Sequence, residues 1–266
     1  MKKVLLAAAF VAMPFFLAGQ AAATPLIVNT TLGNISTAFD AVITGTGTTV
    51  VTSKVVNGQN TYNYVDKDGN AATVAVTRPD GTAPSFYGNY GTLSGSTWDI
   101  GPASSLGDPI PGFNSGLTFT FSTPVNAFGF EIGDWATCCT AVVRDPATVA
   151  TYGVLAKGSG LWIAFDGGAA TLPANALSDN DNPGFASSGE YENFIGAIDS
   201  SGFFSKVTFF GDGFGEILVA GGTLRFASVP KGSIDGTVPE PASLALLGIG
   251  LAGMVALRRR QKASKV

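Results

Sequence analysis

Hydrophobic and polar positions alternate in short runs through most of the chain. Leu117, Phe119 and Phe121 interleave with Thr118, Thr120 and Ser122, a period of two that predicts a half-buried strand. Phe128, Phe130 and Ile132 repeat the pattern after a turn expected at Thr123-Pro124. Leu161, Ile163 and Phe165 form a further run that stops at Asp166-Gly167-Gly168, with Trp162 on the alternate face, exposed or against a second sheet. Phe203, Ser205, Val207 and Phe209 mark another strand. Ile217-Leu218-Val219 and Leu224-Arg225-Phe226 read as two strands joined by a tight connection at Ala220-Gly221-Gly222. Upstream, Thr44 to Val56 is rich in Thr and Val, and Asp68-Gly69 and Asp80-Gly81 carry turn chemistry. Between Thr24 and Val238 no amphipathic helical pattern of about 12 residues and no solenoid repeat stands out. Many short strands cut by turns predict an all-β, jelly-roll-like β-sandwich over residues 24–237.

The two ends follow other patterns. Met1-Lys2-Lys3, an apolar run from Val4 to Ala18 and the small residues Ala21 and Ala23 make a signal peptide over 1–23, cut after Ala23 by signal peptidase following Sec export. Near the other end, 16 uncharged residues run from Ala242 to Leu257. As a helix they reach about 24 Å at 1.5 Å per residue, short of a ~30 Å hydrocarbon core. A single span becomes feasible if Arg258 snorkels and the bilayer thins. Arg258, Arg259 and Arg260 then belong on the cytoplasmic side and the bulk of the chain outside.

Within residues 238–266, Pro239-Glu240-Pro241, the short Gly-containing apolar helix and the Arg-rich tail stand in one order. Together they resemble the PEP-CTERM sorting signal of Gram-negative bacteria. The resemblance implies recognition by an exosortase, a membrane transpeptidase-like enzyme, and processing near Pro239-Glu240-Pro241. It also implies transient anchoring in the inner membrane, then a place in the cell envelope, on the outer surface or in the extracellular matrix of a host that makes exopolysaccharide or biofilm. The segment 116–229, through Phe119 to Phe130, Phe194 to Asp199 and Phe204 to Phe209, resembles in strand texture the lectin-like or carbohydrate-module-like jelly rolls that recur as PEP-CTERM ectodomains.

Composition narrows the chemistry. The 266 residues include no His, which excludes Ser-His-Asp and Cys-His catalysis and His-ligated zinc or haem. Between Thr24 and Val238 there are eight basic and 18 acidic residues, a net charge of −10. Such a domain repels nucleic acid and anionic lipid and better tolerates neutral glycans or divalent cations. The adjacent Cys138-Cys139 admits three readings: buried free thiols, a vicinal disulfide, or bridges to another chain. The C-x-x-C spacing of a redox catalyst is absent.

Candidate ligand contacts follow from side-chain chemistry. Trp98, Trp135, Tyr87 and Tyr90 offer ring faces that stack on a pyranose, though each also suits core or loop packing. Asp179 and Asp181, in Ser178 to Gly184 with Glu190 and Glu192 close by, are candidate Ca²⁺ ligands, against a plain Asx-turn loop. Asp66-Lys67-Asp68-Gly69-Asn70 reads as a hairpin turn. No other cofactor is expected. Paired carboxylates are the remaining catalytic option, drawn from Glu131, Asp134, Glu190, Glu192 and Glu216, and none sits in a recognisable motif. The expectation is a non-enzymatic, exported, exosortase-processed protein whose sandwich binds exopolysaccharide. The alternatives are a structural surface protein without a specific ligand, or a carboxylate-dependent glycan-active enzyme.

Overall fold

The alternating runs become strands in the computed structural model, which describes residues 25–100, 116–212 and 218–234. In chain order they are β1 (Leu26–Thr30), β2 (Val51–Lys54), β3 (Thr61–Val65), β4 (Ala71–Thr77), β5 (Phe86–Asn89), β6 (Ser96–Asp99), β7 (Leu117–Val125), β8 (Ala127–Gly133), β9 (Ser159–Phe165), β10 (Thr171–Ala176), β11 (Glu192–Ile198), β12 (Phe204–Gly211) and β13 (Val219–Ala227). Helices are short: α1 (Ala41–Thr44), α2 (Pro146–Tyr152) and α3 (Pro183–Ser188), with single turns around them. The signal peptide, Pro239-Glu240-Pro241, the C-terminal apolar stretch, Arg258, Arg259, Arg260 and Glu216 lie outside the described residues. No helix among the described residues is long and apolar enough to cross a membrane.

One sheet has the order β1-β11-β8-β13-β6-β5, with β2 also paired to β13; the other has the order β10-β9-β12-β7-β4-β3. From β6 onward each strand or hairpin changes sheet, so β6, β8, β11 and β13 alternate with β7, β9–β10 and β12. That repeated crossing is the connectivity of a jelly-roll-like sandwich, and the chain is an all-β sandwich as its patterning predicts. The inward residues of both sheets form one aromatic core. Phe119 stacks on Phe130 at 5.2 Å between ring centroids, and Phe130 meets Phe209 edge-on at 4.8 Å, geometries that aromatic quadrupoles favour.

The strand β8 is buried on both faces. Phe128, Phe130 and Ile132 point into the core, while Ala127 belongs to a second apolar cluster on the outer side with Phe39, Ile43, Phe194 and Val229. The alternation of Phe and Gly in Ala127-Phe128-Gly129-Phe130 therefore marks a covered outer face, not a solvated one. A Cβ on Gly129 would lie 2.3 Å from the Phe194 ring, so the small residue lets the second layer seat directly on the strand.

Two expected turns lie inside strands. Thr123-Pro124 is not a turn, because β7 continues to Val125. Pro124, which lacks an N–H, falls where the register with β12 shifts between Phe204 and Lys206. The reversal occurs at Asn126 instead, whose amide oxygen accepts from Val229 N at 2.7 Å and whose Nδ2 donates to Val229 O at 2.9 Å. Ala220-Gly221-Gly222 is likewise not a connection. It is a bulge inside β13, where the register with β8 shifts between Gly221 and Leu224. The bend lets the first half of β13 pair with β6 and the second half with β2.

Trp162 is neither exposed nor against the second sheet. It lies on the outside of its own sheet in a small cluster with Ala164, Ala170 and Phe210, and Tyr152 packs edge-on against it. The segment that carries α2 is stapled there by Arg144. The buried guanidinium donates to the carbonyls of Leu155, Lys157 and Gly158, to Asn175 Oδ1, and to Asp212, which also accepts from Trp162 Nε1.

Candidate functional site

The hairpin of β5 and β6 is closed by residues 90–95, and this loop is held to the outer face of the first sheet by two buried glutamates. Glu192 opens β11 and Glu131 lies in β8, diagonal to it, since Glu192 pairs with Gly133 and Phe194 with Glu131. One Glu192 carboxylate oxygen accepts from Thr92 N at 2.7 Å and the other from the Thr92 hydroxyl. Glu131 accepts from Ser94 N at 2.7 Å and from the Thr223 hydroxyl. Arg225 supplies the compensating charge, with Nη1 3.9 Å from Glu131 and Nε 3.3 Å from Asp40. Buried carboxylates are tolerated only with such partners.

Glycine is required at two points of this latch. Gly91 has φ of +46°, and a Cβ there would overlap the Glu192 carboxylate. Gly222, at φ +58° in the β13 bulge, would place a Cβ against the Glu131 carboxylate. The bulge and the loop are thus shaped around the two carboxylates.

At the start of the loop Tyr90 lies over Gly133, and its hydroxyl donates to Asp134 Oδ1 at 3.0 Å. Burial, reinforced by the Asp134 carboxylate, holds the Tyr90 phenol well above its ordinary range. Burial also raises Asp134, and the hydrogen bonds from Tyr90 and Thr137 only partly oppose it. Tyr87 stands next to this pair, its ring centroid 6.1 Å from that of Tyr90, and is 49% exposed. Two residues on, past the register shift in β5, Asn89 lines a shallow cleft of about 550 Å³ with Lys54, Asn57, Ser94 and Ser96. Amide, hydroxyl and ammonium groups in the cleft, with an exposed phenol ring on the same strand, suit a polyhydroxylated ligand, which needs hydrogen bonds at its edges and a flat apolar face.

The four aromatic candidates separate. Tyr87 and Tyr90 come together as a ring pair, neither of them lining the cleft. Trp98 and Trp135 are 0% and 1% exposed, which corrects their reading as glycan contacts: their ring faces are packed inside the sandwich and unavailable to a sugar. Trp98 Nε1 donates to Asn60 Oδ1 at 2.9 Å, so even its polar edge is occupied. Asp179 and Asp181 do not converge on a common point. Asp181 Oδ2 accepts from Leu177 N, Ser178 N and the Ser178 hydroxyl, closing a capping box, while Asp179 Oδ2 accepts from the Tyr191 hydroxyl at 2.9 Å. Among the described residues no group of three or more His, Cys, Asp or Glu is placed to hold a metal ion. Glu190 is exposed next to Glu192, and the Glu131 and Glu192 carboxylates are engaged by loop donors. Lys54, Asn57, Asn89 and Ser94 escape sequence reasoning, and parity along β5 does not find them, because its register with β6 shifts between Phe86 and Gly88. Of the three cysteine readings, the structure has the vicinal disulfide between Cys138 and Cys139.

Residues 237–260 match the PEP-CTERM protein-sorting motif. No curated protein and no solved structure matches the chain. The chain carries the sorting motif expected from Pro239-Glu240-Pro241 and its flanks, which marks an exported, envelope-associated protein directed to an exosortase.

Proposed function

We propose that the sandwich is the glycan-contacting part of this exported protein, acting in the cell envelope, on the outer surface or in the exopolysaccharide matrix of a Gram-negative bacterium. The observation that carries the reading is the surface of the β5–β6 hairpin: Tyr87 exposes its ring, and a cleft at the end of the same strand presents the Asn57 and Asn89 amides and the Ser94 and Ser96 hydroxyls, with Ser94 on a loop fixed from beneath by Glu131 and Glu192. A preformed surface of this kind loses little conformational entropy on binding. The role is binding rather than catalysis, since the two buried glutamates serve as loop anchors.

The test is retardation of the mature protein on the host's exopolysaccharide, with and without EDTA. Wild type is expected to bind saturably in both conditions. Tyr87→Ala is expected to bind at least roughly tenfold more weakly, the loss of about 1.4 kcal/mol of stacking. Equal retention of Tyr87→Ala and wild type would overturn the assignment of the site. EDTA-sensitive binding would instead bring the Asp179 and Asp181 loop into play. Glycan hydrolysis abolished by Glu131→Gln or Glu190→Gln would favour the enzyme. A second reading, a structural surface protein without specific ligand, draws on Val65, 62% exposed on the edge strand β3. Concentration-dependent self-association in sedimentation, with no glycan retention, would favour it.

A further inference from the structure

The loop after β8 runs from Asp134 to Val142, and three of its non-glycine residues hold left-handed backbone: Asp134 at φ +64°, Ala136 at +68° and Cys139 at +68°. Such conformations persist only where the surroundings impose them. Three anchors are visible. Asp134 N donates to Tyr191 O at 2.9 Å, Asn182 Nδ2 donates to Trp135 O at 2.8 Å, and Val142 N donates to Cys139 O at 3.0 Å. The fourth is covalent, the Cys138–Cys139 disulfide, with Cys138 on the exposed side. Trp135 is buried under the loop, and its Nε1 has no hydrogen-bond partner, so its ring is retained by packing and its backbone by Asn182.

We propose that Cys138–Cys139 is a two-electron redox site, addressed by a dithiol oxidoreductase outside the cytoplasm, that sets the order of this loop and through Asp134 the placement of Tyr90. A reductant thiolate attacks the sulfur of Cys138, the accessible member. Cys139 leaves as a thiolate and takes a proton. The reductant's second thiol then attacks the mixed disulfide, freeing Cys138 as a thiol and leaving the reductant as its own disulfide. Two electrons pass to the protein and one disulfide is exchanged for another. Reduction opens the eight-membered ring, so Cys139 is released from its left-handed turn. The strain then relaxes back along the loop to Asp134, the acceptor of the Tyr90 hydroxyl.

The measurement is amide hydrogen exchange on the mature full-length protein, oxidised and after reduction with a soluble dithiol, alongside a thiol count. The oxidised protein is expected to show no reactive thiol and the reduced protein two. Exchange at the Asp134 and Val142 amides should quicken roughly tenfold on reduction, with β9 and β12 unchanged. The double variant Cys138→Ser with Cys139→Ser should behave as reduced protein and ignore the reductant. Two thiols in protein purified under oxidising conditions, or unchanged exchange at both amides after reduction, would overturn the proposal. Neither readout involves a glycan, so failure of the binding assignment leaves this test intact. A weaker exopolysaccharide retention of reduced protein rests on that assignment and is a separate arm.

Discussion

Single side chains carry much of the fixed geometry outside the main core. Arg144 is the clearest case, a buried cation whose acceptors are three backbone carbonyls, one amide and one carboxylate. Burial pushes Asp212 above the usual carboxylate range, against the pull of Arg144 and Trp162. Replacing Arg144 by Met removes the charge from one side only. Destabilisation of about 3–5 kcal/mol is expected in denaturant titration. Sequence alone could not reveal this staple, because nothing marks the carbonyls of Leu155, Lys157 and Gly158 as a cradle. The Asp66 turn was legible as a turn, and its chemistry adds a pH response. Asp66 accepts from Asn70 N and Asp68 N, which hold its carboxyl below the ordinary value of 3.8. A lowered folded value means that this contribution is complete above that ordinary range and disappears as pH falls through the folded value. Protection of the Asn70 amide, measured against its intrinsic exchange rate at each pH, should therefore fall on acidification below about pH 4, and Asp66→Asn should remove that pH dependence.

Among the strands, legibility divides by face. The inward faces of β7, β8, β9 and β12 follow from alternation alone, since each large residue at period two enters one core. The outward faces do not. In sequence Glu131 is one of several candidate catalytic carboxylates, and nothing there points to its partner Ser94, 37 residues earlier. The bulge in β13 reads as a turn because Gly221-Gly222 has the composition of one. In the fold those glycines make room for a carboxylate. Gly222→Ala should accordingly cost about 2 kcal/mol or more by thermal unfolding, and Gly91→Ala should act in the same way on the loop. Thr92→Val leaves Glu192 with one donor fewer. A loss of about 1–3 kcal/mol is expected, with faster exchange at the Thr92 and Ser94 amides.

The whole molecule was legible as a sandwich with an address at one end, while the second layer on β8 was not, because glycine carries no signal for what covers it. The described residues fall within one compact unit, Ala23–Gly236. Deleting residues 237–266 should leave the circular dichroism and melting of that unit unchanged while abolishing exosortase-dependent processing, read as a mass shift on immunoblot. Pairing across the first sheet aligns Leu26, Ile198, Ala127 and Ala227 in one row, and Glu192, Gly133, Val219 and Asp99 in another at the opposite end of β8. The first residue of β1 and the last of β13 thus leave the sheet at the same edge, about 14 Å apart at ~4.8 Å per strand. Tension between those two ends loads antiparallel ladders from their tips, so hydrogen bonds break one after another rather than together. Under force the sheet yields by peeling from the row of Leu26 and Ala227, and the opposite row, where Tyr90 and Asp134 sit, is the last to feel the load.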